Sequence, residues 1–300
     1  MKVLITGGAG FLGKHLVKML QRDNIVRIFD QSDVSFPRDM AESIKGNILD
    51  YTALEESCRG FDAVIHLAAI TSIAESIISP KDTKRTNVEG TLNVLKSCVQ
   101  NNINKIIFAS SAAVYGDYTV GHIPEDIDTK PTSPYDQSKL DAEAQIRYYS
   151  EKFGMQGICL RLFNVYGRGQ SRQQAGVIPR FVEAILENRQ IVIYGDGTQT
   201  RDFVAVNDVG MAFALALNSD KSGTYNIGSS NPTSINELVQ MISKISNKDI
   251  TPIYEKKNPR EIIHSVSDIT LARNELHFEP KTKLKDGIEE LISVPDEICH

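Results

Sequence analysis

A glycine-rich turn near the start of the chain constrains the fold more than any other feature. Residues 3–5 form an apolar run typical of a strand buried on both faces. The turn that follows contains Gly7, Gly10 and Gly13. Leucines then recur at helical spacing over residues 12–20, which predicts a helix. Because a strand, a glycine turn and a helix N-terminus can together hold a pyrophosphate on backbone N–H groups, this stretch predicts a dinucleotide site.

An acidic residue at the end of the next apolar segment bears on which dinucleotide binds. Residues 25–30 predict a second strand that ends in Asp30. Asp30 lies near the ~20-residue spacing at which a carboxylate binds the adenosine ribose hydroxyls. A carboxylate repels a 2′-phosphate, so the pattern favours NAD over NADP. The alternative interpretation is that Asp30 only begins a polar loop.

Composition narrows the class of protein without selecting a function. The chain has 300 residues, of which 41% are hydrophobic and 24% charged, as in an ordinary soluble enzyme. The net charge of −5 favours neither nucleic acid nor an acidic membrane as a partner. No apolar stretch is long enough to span a membrane and the N-terminus leads directly into a strand, so we expect a cytoplasmic protein without a signal peptide. The histidine and cysteine spacings predict neither a metal site nor a disulfide framework.

Strand and helix patterns alternate through the first half of the chain, which predicts an α/β fold. The expected architecture is a Rossmann-type doubly wound parallel sheet with helices on both faces. We predict long helices over residues 80–101 and 135–153, and a polar loop over residues 70–79. Ligands are then expected outside the carboxyl ends of the strands.

The pattern changes after residue 167, where short strands and short helices follow one another less regularly. We therefore predict an NAD-binding domain over residues 1–167 and a smaller α+β part, mainly substrate-binding, over residues 168–300. Residues 203–228 are a candidate for a return of the chain to the first domain.

A tyrosine and a lysine lie one helical turn apart in the second long helix. Tyr135 and Lys139 are at positions i and i+4, which places both on one helix face. Tyrosine is a weak base at its free pKa of ~10, and a nearby ammonium together with an oxidised nicotinamide would bring the pKa toward neutrality. Ser110 and Ser111 end the apolar strand before this helix, where a hydroxyl could share a proton with a substrate. The alternatives are a solvated helix face and serines that satisfy a turn.

Several motifs, specific only in combination, carry a resemblance to a known family. They are GGAGFLG (7–13), HLAA (66–69), TNVEGT (86–91), SSAAVYG (110–116), YDQSK (135–139), RLFNVYG (161–167), YGDGTQTRDFV (194–204) and YNIG (225–228). With these motifs the chain resembles, over nearly its whole length, the extended short-chain dehydrogenase/reductase family of nucleotide-sugar enzymes. Within that family it is most similar to UDP-sugar 4-epimerases. The resemblance implies NAD as the cofactor, a UDP-sugar as the substrate and a homodimer as the assembly.

The resemblance also implies roles for individual residues. Ser111 is the expected catalytic serine, Tyr135 the base, and Lys139 the residue that binds the nicotinamide ribose and lowers the tyrosine pKa. The implied cofactor contacts are Gly7, Gly10, Phe11, Leu12, Gly13, Asp30, Asn47, Ile48, Leu67, Ala68, Ala69, Asn87, Tyr135 and Lys139. The implied substrate contacts are Ser111, Asn164, Val177, Arg201, Arg260 and Ser265. The family usually has Asp where Asn47 stands, and the segment around Arg260 is shortened in this chain.

The residues after Ser111 distinguish the reactions that this fold supports. Related 4,6-dehydratases carry an Asp–Glu pair there and decarboxylases a Glu, whereas this chain has Ala112 and Ala113. Because alanine cannot transfer a proton, the expected reaction is 4-epimerisation of UDP-glucose and UDP-galactose through a 4-keto intermediate. A small residue at Ser265 would also admit the N-acetylhexosamine forms. A UDP-glucuronate 4-epimerase, a nucleotide-sugar reductase and a non-catalytic dinucleotide sensor are the alternatives.

Overall fold

The computed structural model describes residues 1–33, 41–118, 121–170, 176–256 and 262–294. Its strands are β1 (Lys2–Thr6), β2 (Ile25–Asp30), β3 (Glu42–Lys45), β4 (Ala63–His66), β5 (Lys105–Ser111), β6 (Gln156–Leu162), β7 (Asn164–Tyr166), β8 (Val192–Tyr194), β9 (Thr200–Ala205), β10 (Gly223–Ile227), β11 (Pro232–Ser234), β12 (Ile253–Glu255) and β13 (His264–Ser265). Its helices are α1 (Phe11–Leu20), α2 (Tyr51–Cys58), α3 (Ile73–Ile78), α4 (Pro80–Lys84), α5 (Gly90–Gln100), α6 (Pro134–Phe153), α7 (Val177–Leu186), α8 (Val206–Asn218), α9 (Ile235–Ser246), α10 (Thr270–Leu276) and α11 (Leu284–Ser293). A π-helical turn, Arg85–Glu89, joins α4 to α5, and a 3-10 turn, Ala112–Tyr115, follows β5.

The central sheet has seven parallel strands in the order β10-β6-β5-β4-β1-β2-β3. This arrangement confirms the Rossmann-type architecture expected from the alternation of strands and helices. In β1, Val3 and Ile5 face one core and Leu4 faces the other, and all three are fully buried. The strand is apolar on both faces because both faces are covered, and the glycine turn comes at its carboxyl end.

Helices cover both faces of the central sheet. Leu16 of α1 and Phe213 of α8 belong to the core on one face. Leu95 of α5 and Ile146 of α6 belong to the core on the other face. In the described part of the chain, no helix is long and apolar enough to cross a membrane.

The second half of the chain contributes a strand to the central sheet. β10 pairs with β6, from Gly223 opposite Ile158 to Ile227 opposite Leu162. Helix α8 packs against α1 on the same sheet. β9, in contrast, belongs to a smaller sheet, so the segment 203–228 is divided between the two sheets. The division of the chain into two domains at residue 167 stays a prediction.

The smaller sheet is mixed and has its own core. Its order is β11-β9-β13, with β7 also paired to β9, and β8 pairs separately with β12. Phe181, Ile193, Leu238 and Ile288 are buried together beneath it. Because only Phe163 separates β6 from β7, the smaller sheet begins beside the carboxyl end of the central one.

Two local predictions differ from the structure. The polar loop predicted over residues 70–79 is wrong, because α3 occupies part of it, with Ser72 as N-cap accepting a hydrogen bond from Glu75 N at 3.1 Å. Residues 80–100 are helical, close to the predicted range of 80–101. The helix is not α-helical throughout, because residues 85–89 form a π-helical turn between α4 and α5. Such turns occur frequently at functional sites.

Candidate active site

A cavity of about 660 Å³ lies at the carboxyl ends of the central strands, where ligands bind in sheets of this kind. From the predicted site it brings together Gly7, Gly10, Phe11, Leu12, Gly13, Asp30, Asn47, Ile48, Leu67, Ala68, Ala69, Ser111, Tyr135 and Lys139. Residues that are far apart in the sequence therefore share one cavity, which contains both the glycine turn and the tyrosine–lysine pair.

The glycine turn keeps space open that any side chain would fill. Gly7 has a φ of +75°, and a Cβ there would lie 2.5 Å from the backbone nitrogen of Ala68. A Cβ on Gly13 would lie 2.5 Å from the Cα of Gly8. Gly10 is the N-cap of α1 and has no side chain to cap it, so the first N–H groups of the helix are left for a bound anion. This turn fits the pyrophosphate of a dinucleotide.

Asp30 lies at the end of β2 and holds the glycine turn in place. Its Oδ2 accepts a hydrogen bond from Ala9 N at 3.0 Å, and its Oδ1 accepts one from Ser32 N at 2.9 Å. A carboxylate has further lone pairs, so Asp30 can also accept hydrogen bonds from ribose hydroxyls in the cavity that it lines. The ribose contact and the start of a polar loop are therefore compatible interpretations of this residue.

The segment after β3 forms the wall where adenine is expected. Asn47 Oδ1 accepts a hydrogen bond from Leu49 N at 2.9 Å, so its amide nitrogen is the group that can contact a base. Ile48 packs into the space beside Gly90, where a Cβ would lie 2.5 Å from the Ile48 side chain. The wall is thus fixed by packing, and Asn47 keeps a hydrogen-bonding group at the position where the family usually has Asp.

Helix α6 begins with a capping box that fixes the position of Tyr135. Ser133 Oγ accepts a hydrogen bond from Asp136 N at 3.1 Å, and Asp136 Oδ2 accepts one from Ser133 N at 2.9 Å. Tyr135 is buried, and Ser111 lines the same cavity. Burial raises the pKa of Tyr135 to about 12, the nearby Ser111 hydroxyl opposes this rise, and the charge of Asp136 adds to it. Burial is therefore the dominant influence on the pKa of Tyr135, and the shift toward neutrality stays a prediction.

Lys139 lies one turn further along α6 and is also buried. Its Nζ donates a hydrogen bond to Ala109 O at 2.8 Å and lies 4.7 Å from the centre of the Phe108 ring. Burial lowers the pKa of Lys139 to about 8, whereas the charge of Glu143 raises it. The amine is therefore mostly charged at neutral pH, and it lies 5.9 Å from the centre of the Tyr135 ring.

The two serines at the end of β5 have different partners. Ser111 Oγ accepts a hydrogen bond from Ala113 N at 3.2 Å, and its hydroxyl acts on the pKa of Tyr135. Ser110 Oγ instead donates to Glu143 Oε1 at 2.5 Å. The structure thus places Ser111, and not Ser110, beside the tyrosine.

Asn87 lies behind the cavity wall, in the π-helical turn. Its Nδ2 donates to Ile70 O and to Ser138 Oγ, both at 2.9 Å, and its Oδ1 accepts from Ile70 N at 2.8 Å. Ser138 Oγ in turn donates to Tyr135 O at 2.7 Å. Asn87 therefore braces the loop at Ile70 against α6, and its direct contact with the cofactor stays a prediction.

The other predicted substrate residues lie in the second half of the fold. Arg201 and Ser265 are directly paired neighbours on β9 and β13. Asn164, on β7 of the same small sheet, donates through Nδ2 to a backbone carbonyl of β9 at 3.1 Å. Val177 is the first residue of α7. Arg260 lies outside the described residues.

Comparison with known proteins identifies the family. Residues 3–228 match the NAD dependent epimerase/dehydratase family. The chain belongs to this family. A protein of Methanocaldococcus jannaschii, provisionally named a UDP-glucose 4-epimerase, is 36% identical over 298 residues, which cover 97% of each chain. The cofactor of the site is therefore NAD, as the glycine turn and Asp30 predict.

Two solved structures have the same fold over nearly the full length of the chain. One is a UDP-N-acetylglucosamine 4-epimerase of Methanobrevibacter ruminantium in complex with UDP-N-acetylmuramic acid, with a TM-score of 0.91, 33% identity and 97% of each chain covered. The other is a UDP-glucose 4-epimerase of Thermotoga maritima with UDP-glucose, with a TM-score of 0.92, 31% identity and 98% of each chain covered. The shared fold thus includes the smaller sheet as well as the central one.

The sequence analysis missed a buried polar network next to the site. Arg161 donates to Glu143 through Nε at 3.0 Å and through Nη2 at 2.8 Å, and to the Tyr115 hydroxyl through Nη1 at 2.9 Å. The position of Glu143 four residues after Lys139 was a signal in the sequence, but its pairing with Arg161 depends on the fold. Gln170 also lines the cavity, and no motif pointed to it.

Proposed function

We propose that the protein is an NAD-dependent UDP-sugar 4-epimerase. The observation that carries this proposal is that Ser111, Tyr135 and Lys139 line the same cavity as the glycine turn. The Lys139 ammonium lies in the same cavity wall. This group of residues supplies a proton acceptor, a hydroxyl and a positive charge beside a dinucleotide site. Reversible oxidation of one sugar hydroxyl needs these three parts.

NAD, which the glycine turn and Asp30 would hold, would supply a reversible hydride acceptor for C4 of the sugar. Tyr135, as phenolate, accepts the proton of the 4-hydroxyl, and Ser111 holds that hydroxyl within reach. Because burial raises the pKa of Tyr135, the phenolate depends on positive charge beside it, to which Lys139 contributes. Tyr135 gives the proton back after the 4-keto sugar has turned its other face toward the cofactor. Arg201 holds the diphosphate while the sugar turns.

Two alanines support epimerisation over the other reactions of this family. Ala112 and Ala113 lie in the 3-10 turn directly after Ser111. Neither side chain can donate or accept a proton, so these two positions supply no second acid or base for elimination or decarboxylation. A single base and a reversible hydride acceptor are sufficient for inversion at C4.

The proposed substrates are the UDP-glucose/UDP-galactose pair and the corresponding N-acetylhexosamine pair. Ser265 is paired with Arg201 across two neighbouring strands, so its small side chain lies beside the proposed diphosphate contact. A small residue at this point leaves room for an acetamido group. The similarity to a UDP-N-acetylglucosamine 4-epimerase at 33% identity supports the wider range.

The test is a panel of UDP-hexoses given to the purified protein without added dinucleotide. We expect interconversion of both proposed pairs, with NAD detected in the purified protein by mass spectrometry. Stoichiometric consumption of NAD(P)H would instead identify a reductase, and turnover of UDP-glucuronate alone would favour the uronate 4-epimerase. A protein that binds NAD but converts no UDP-sugar would contradict the proposal.

We further propose a homodimer that pairs through the helical segment 80–100 and α6. Helix α6 exposes Tyr148 and Phe153, and the neighbouring α3 exposes Ile78. Apolar side chains exposed together on adjacent helices favour contact with a second copy. Sedimentation velocity should give a dimer at micromolar concentration, and Phe153→Ser should shift the protein toward monomer. A wild-type protein that stays monomeric would contradict this assembly.

A further inference from the structure

Glu143 extends the catalytic face of α6 by one more turn. Tyr135, Lys139 and Glu143 are spaced i, i+4 and i+8, so they share a helix face, and all three are buried. A buried carboxylate is costly unless it has a counter-charge and hydrogen-bond donors. Glu143 has both, because Arg161 contacts its two oxygens at 3.0 and 2.8 Å and Ser110 Oγ donates at 2.5 Å. Both oxygens of the Glu143 carboxylate therefore have hydrogen-bond donors, one of which is Ser110 near the end of β5.

The same network holds the chain on both sides of Ser111. On one side, Ser110 is tied to Glu143. On the other side, the Tyr115 hydroxyl accepts from Arg161 Nη1 at 2.9 Å and donates to a side-chain amide of β10 at 2.6 Å. Arg161 Nη1 also donates to a backbone carbonyl of the loop before α6 at 3.1 Å. The backbone around Ser111 is therefore fixed to α6, β6 and β10 through one ion pair.

The charge of Glu143 also acts on Lys139. Burial lowers the pKa of Lys139 to about 8, and Glu143 opposes this shift. Among the other titratable groups near Lys139, burial raises the pKa of the Cys159 thiol well above its ordinary value and lowers the pKa of His66 to about 3, so both are uncharged at neutral pH. Tyr135, one turn back on α6, is likewise neutral there until it loses its proton. The carboxylate of Glu143 is thus the charge that favours the ammonium form.

We propose that Glu143, paired with Arg161, is a positioning residue of the reaction: it holds the chain around Ser111 beside Tyr135 and places a carboxylate one helical turn from Lys139. The proposal rests on the proposed function, since Ser111, Tyr135 and Lys139 act as described there. It adds a residue that lies outside the cavity wall and acts through the groups that line it.

The first experiment compares Glu143→Gln with Glu151→Gln, which makes the same change at an exposed position of the same helix. Glu143→Gln keeps the size of the side chain and removes its charge. We expect kcat to fall about 10-fold with KM for the UDP-sugar unchanged. Because Lys139 then loses its proton more easily, the alkaline limb of the kcat profile should move about one unit to lower pH. Wild-type kcat and pH profile in a folded Glu143→Gln protein would overturn the proposal.

Two further variants separate position from charge and do not depend on the folding of Glu143→Gln. Glu143→Asp keeps the charge but withdraws the carboxylate from Ser110, and Ser110→Ala removes the hydroxyl that the carboxylate accepts from. Both should lower kcat while the alkaline limb stays at the wild-type pH. Full kcat in both variants would overturn the positioning role of Glu143.

A measurement without substrate keeps this inference distinct from the proposed function. Protein labelled with 13C at lysine Cε allows the titration of Lys139 to be followed by NMR, with the signal assigned by its loss in Lys139→Arg. The midpoint should fall in Glu143→Gln and not in Glu151→Gln. A wild-type protein that converts no UDP-sugar contradicts the proposed function, whereas an unchanged Lys139 midpoint in Glu143→Gln overturns the role of Glu143.

Discussion

The cofactor region and the substrate region of the molecule are built by different means. In the cofactor region, the proposed pyrophosphate contacts are backbone groups of the glycine turn and of the N-terminus of α1, at the carboxyl end of β1. In the substrate region, the proposed contacts are single side chains on a small mixed sheet, such as Arg201 and Ser265. A site made of backbone changes only with the fold, whereas a site made of side chains changes one residue at a time. This difference explains why proteins of one fold can bind the same cofactor and yet act on different sugars.

Substitutions in the two regions should therefore have different effects on the enzyme. Changes in the cofactor region should lower kcat or the amount of bound NAD for every sugar alike. Changes in the substrate region should raise KM or alter the choice of sugar while NAD stays bound. Any variant that breaks this division would show that the two regions are coupled.

The largest effect is expected for Tyr135→Phe. Loss of the phenolic oxygen removes the base, so interconversion should fall about 10³-fold while NAD remains bound. Tyr254→Phe makes the same change at an exposed position of β12 and should leave the rate unchanged. Product formation by NMR and bound NAD by mass spectrometry measure the two quantities. Full activity in Tyr135→Phe would reject the tyrosine as the base.

Gly13→Ala tests whether the glycine turn is needed to bind NAD, without changing any of the proposed catalytic side chains. The new Cβ would lie 2.5 Å from Gly8 Cα, and backbone atoms cannot move aside as the end of a side chain can. We expect the free energy of unfolding to fall by about 1–3 kcal/mol and the purified protein to lose most of its NAD. Gly176→Ala is the control, because the added Cβ meets nothing within 4 Å there and φ is −66°. Retention of stoichiometric NAD in Gly13→Ala would contradict the role of the turn.

Arg201→Ala tests the substrate region directly. Removal of a charged hydrogen-bond donor from the diphosphate should raise KM by about 10- to 100-fold, with NAD content unchanged. Arg189→Ala, an exposed arginine paired with Glu183 and Glu187, should leave KM at the wild-type value. Steady-state kinetics with UDP-glucose are sufficient. An Arg201→Ala protein with lower kcat and unchanged KM would place the residue in the chemistry and not in substrate binding.

The smallest and most selective effect is expected for Ser265→Tyr. A large ring beside Arg201 would occupy the space proposed for the acetamido group. Turnover of the N-acetylhexosamine pair should fall about 10-fold or more relative to the glucose/galactose pair. Ser265→Ala should leave the ratio of the two rates unchanged. Unaltered N-acetyl turnover in the tyrosine variant would reject Ser265 as the residue that admits these sugars.

Sequence reasoning succeeded where a residue type has few physical uses. The glycine turn after an apolar strand predicted a dinucleotide site, and the structure shows why Gly7 and Gly13 cannot carry side chains. Asp30 was identified by its distance from that turn, and it lies on the cavity wall. The family match confirms both the fold and the cofactor. These features depend on short segments of sequence, so they can be predicted without knowing which distant segments pack against them.

Sequence reasoning failed where structure depends on distant partners or on weak patterns. The buried ion pair between Glu143 and Arg161 joins a helix to a strand, and the sequence of neither segment predicts that the two residues are in contact. Helix α3 exposes Ile77 and Ile78, so it lacks the apolar face that marks a helix, and only the cap at Ser72 indicates it. The pKa of Tyr135 depends on burial, which no spacing of Tyr135 and Lys139 reveals.

The position of β10 has a consequence for the order in which the protein is assembled. During synthesis β6 emerges well before β10, and until the later strand arrives the outer edge of β6 has unpaired N–H and C=O groups. Such an edge can pair with other chains. A fragment that ends at residue 167 keeps it permanently and should scatter light as aggregates on refolding, whereas the full chain should stay dispersed. The central sheet is therefore protected from pairing with other chains only after β10, in the second half of the sequence, has been synthesised.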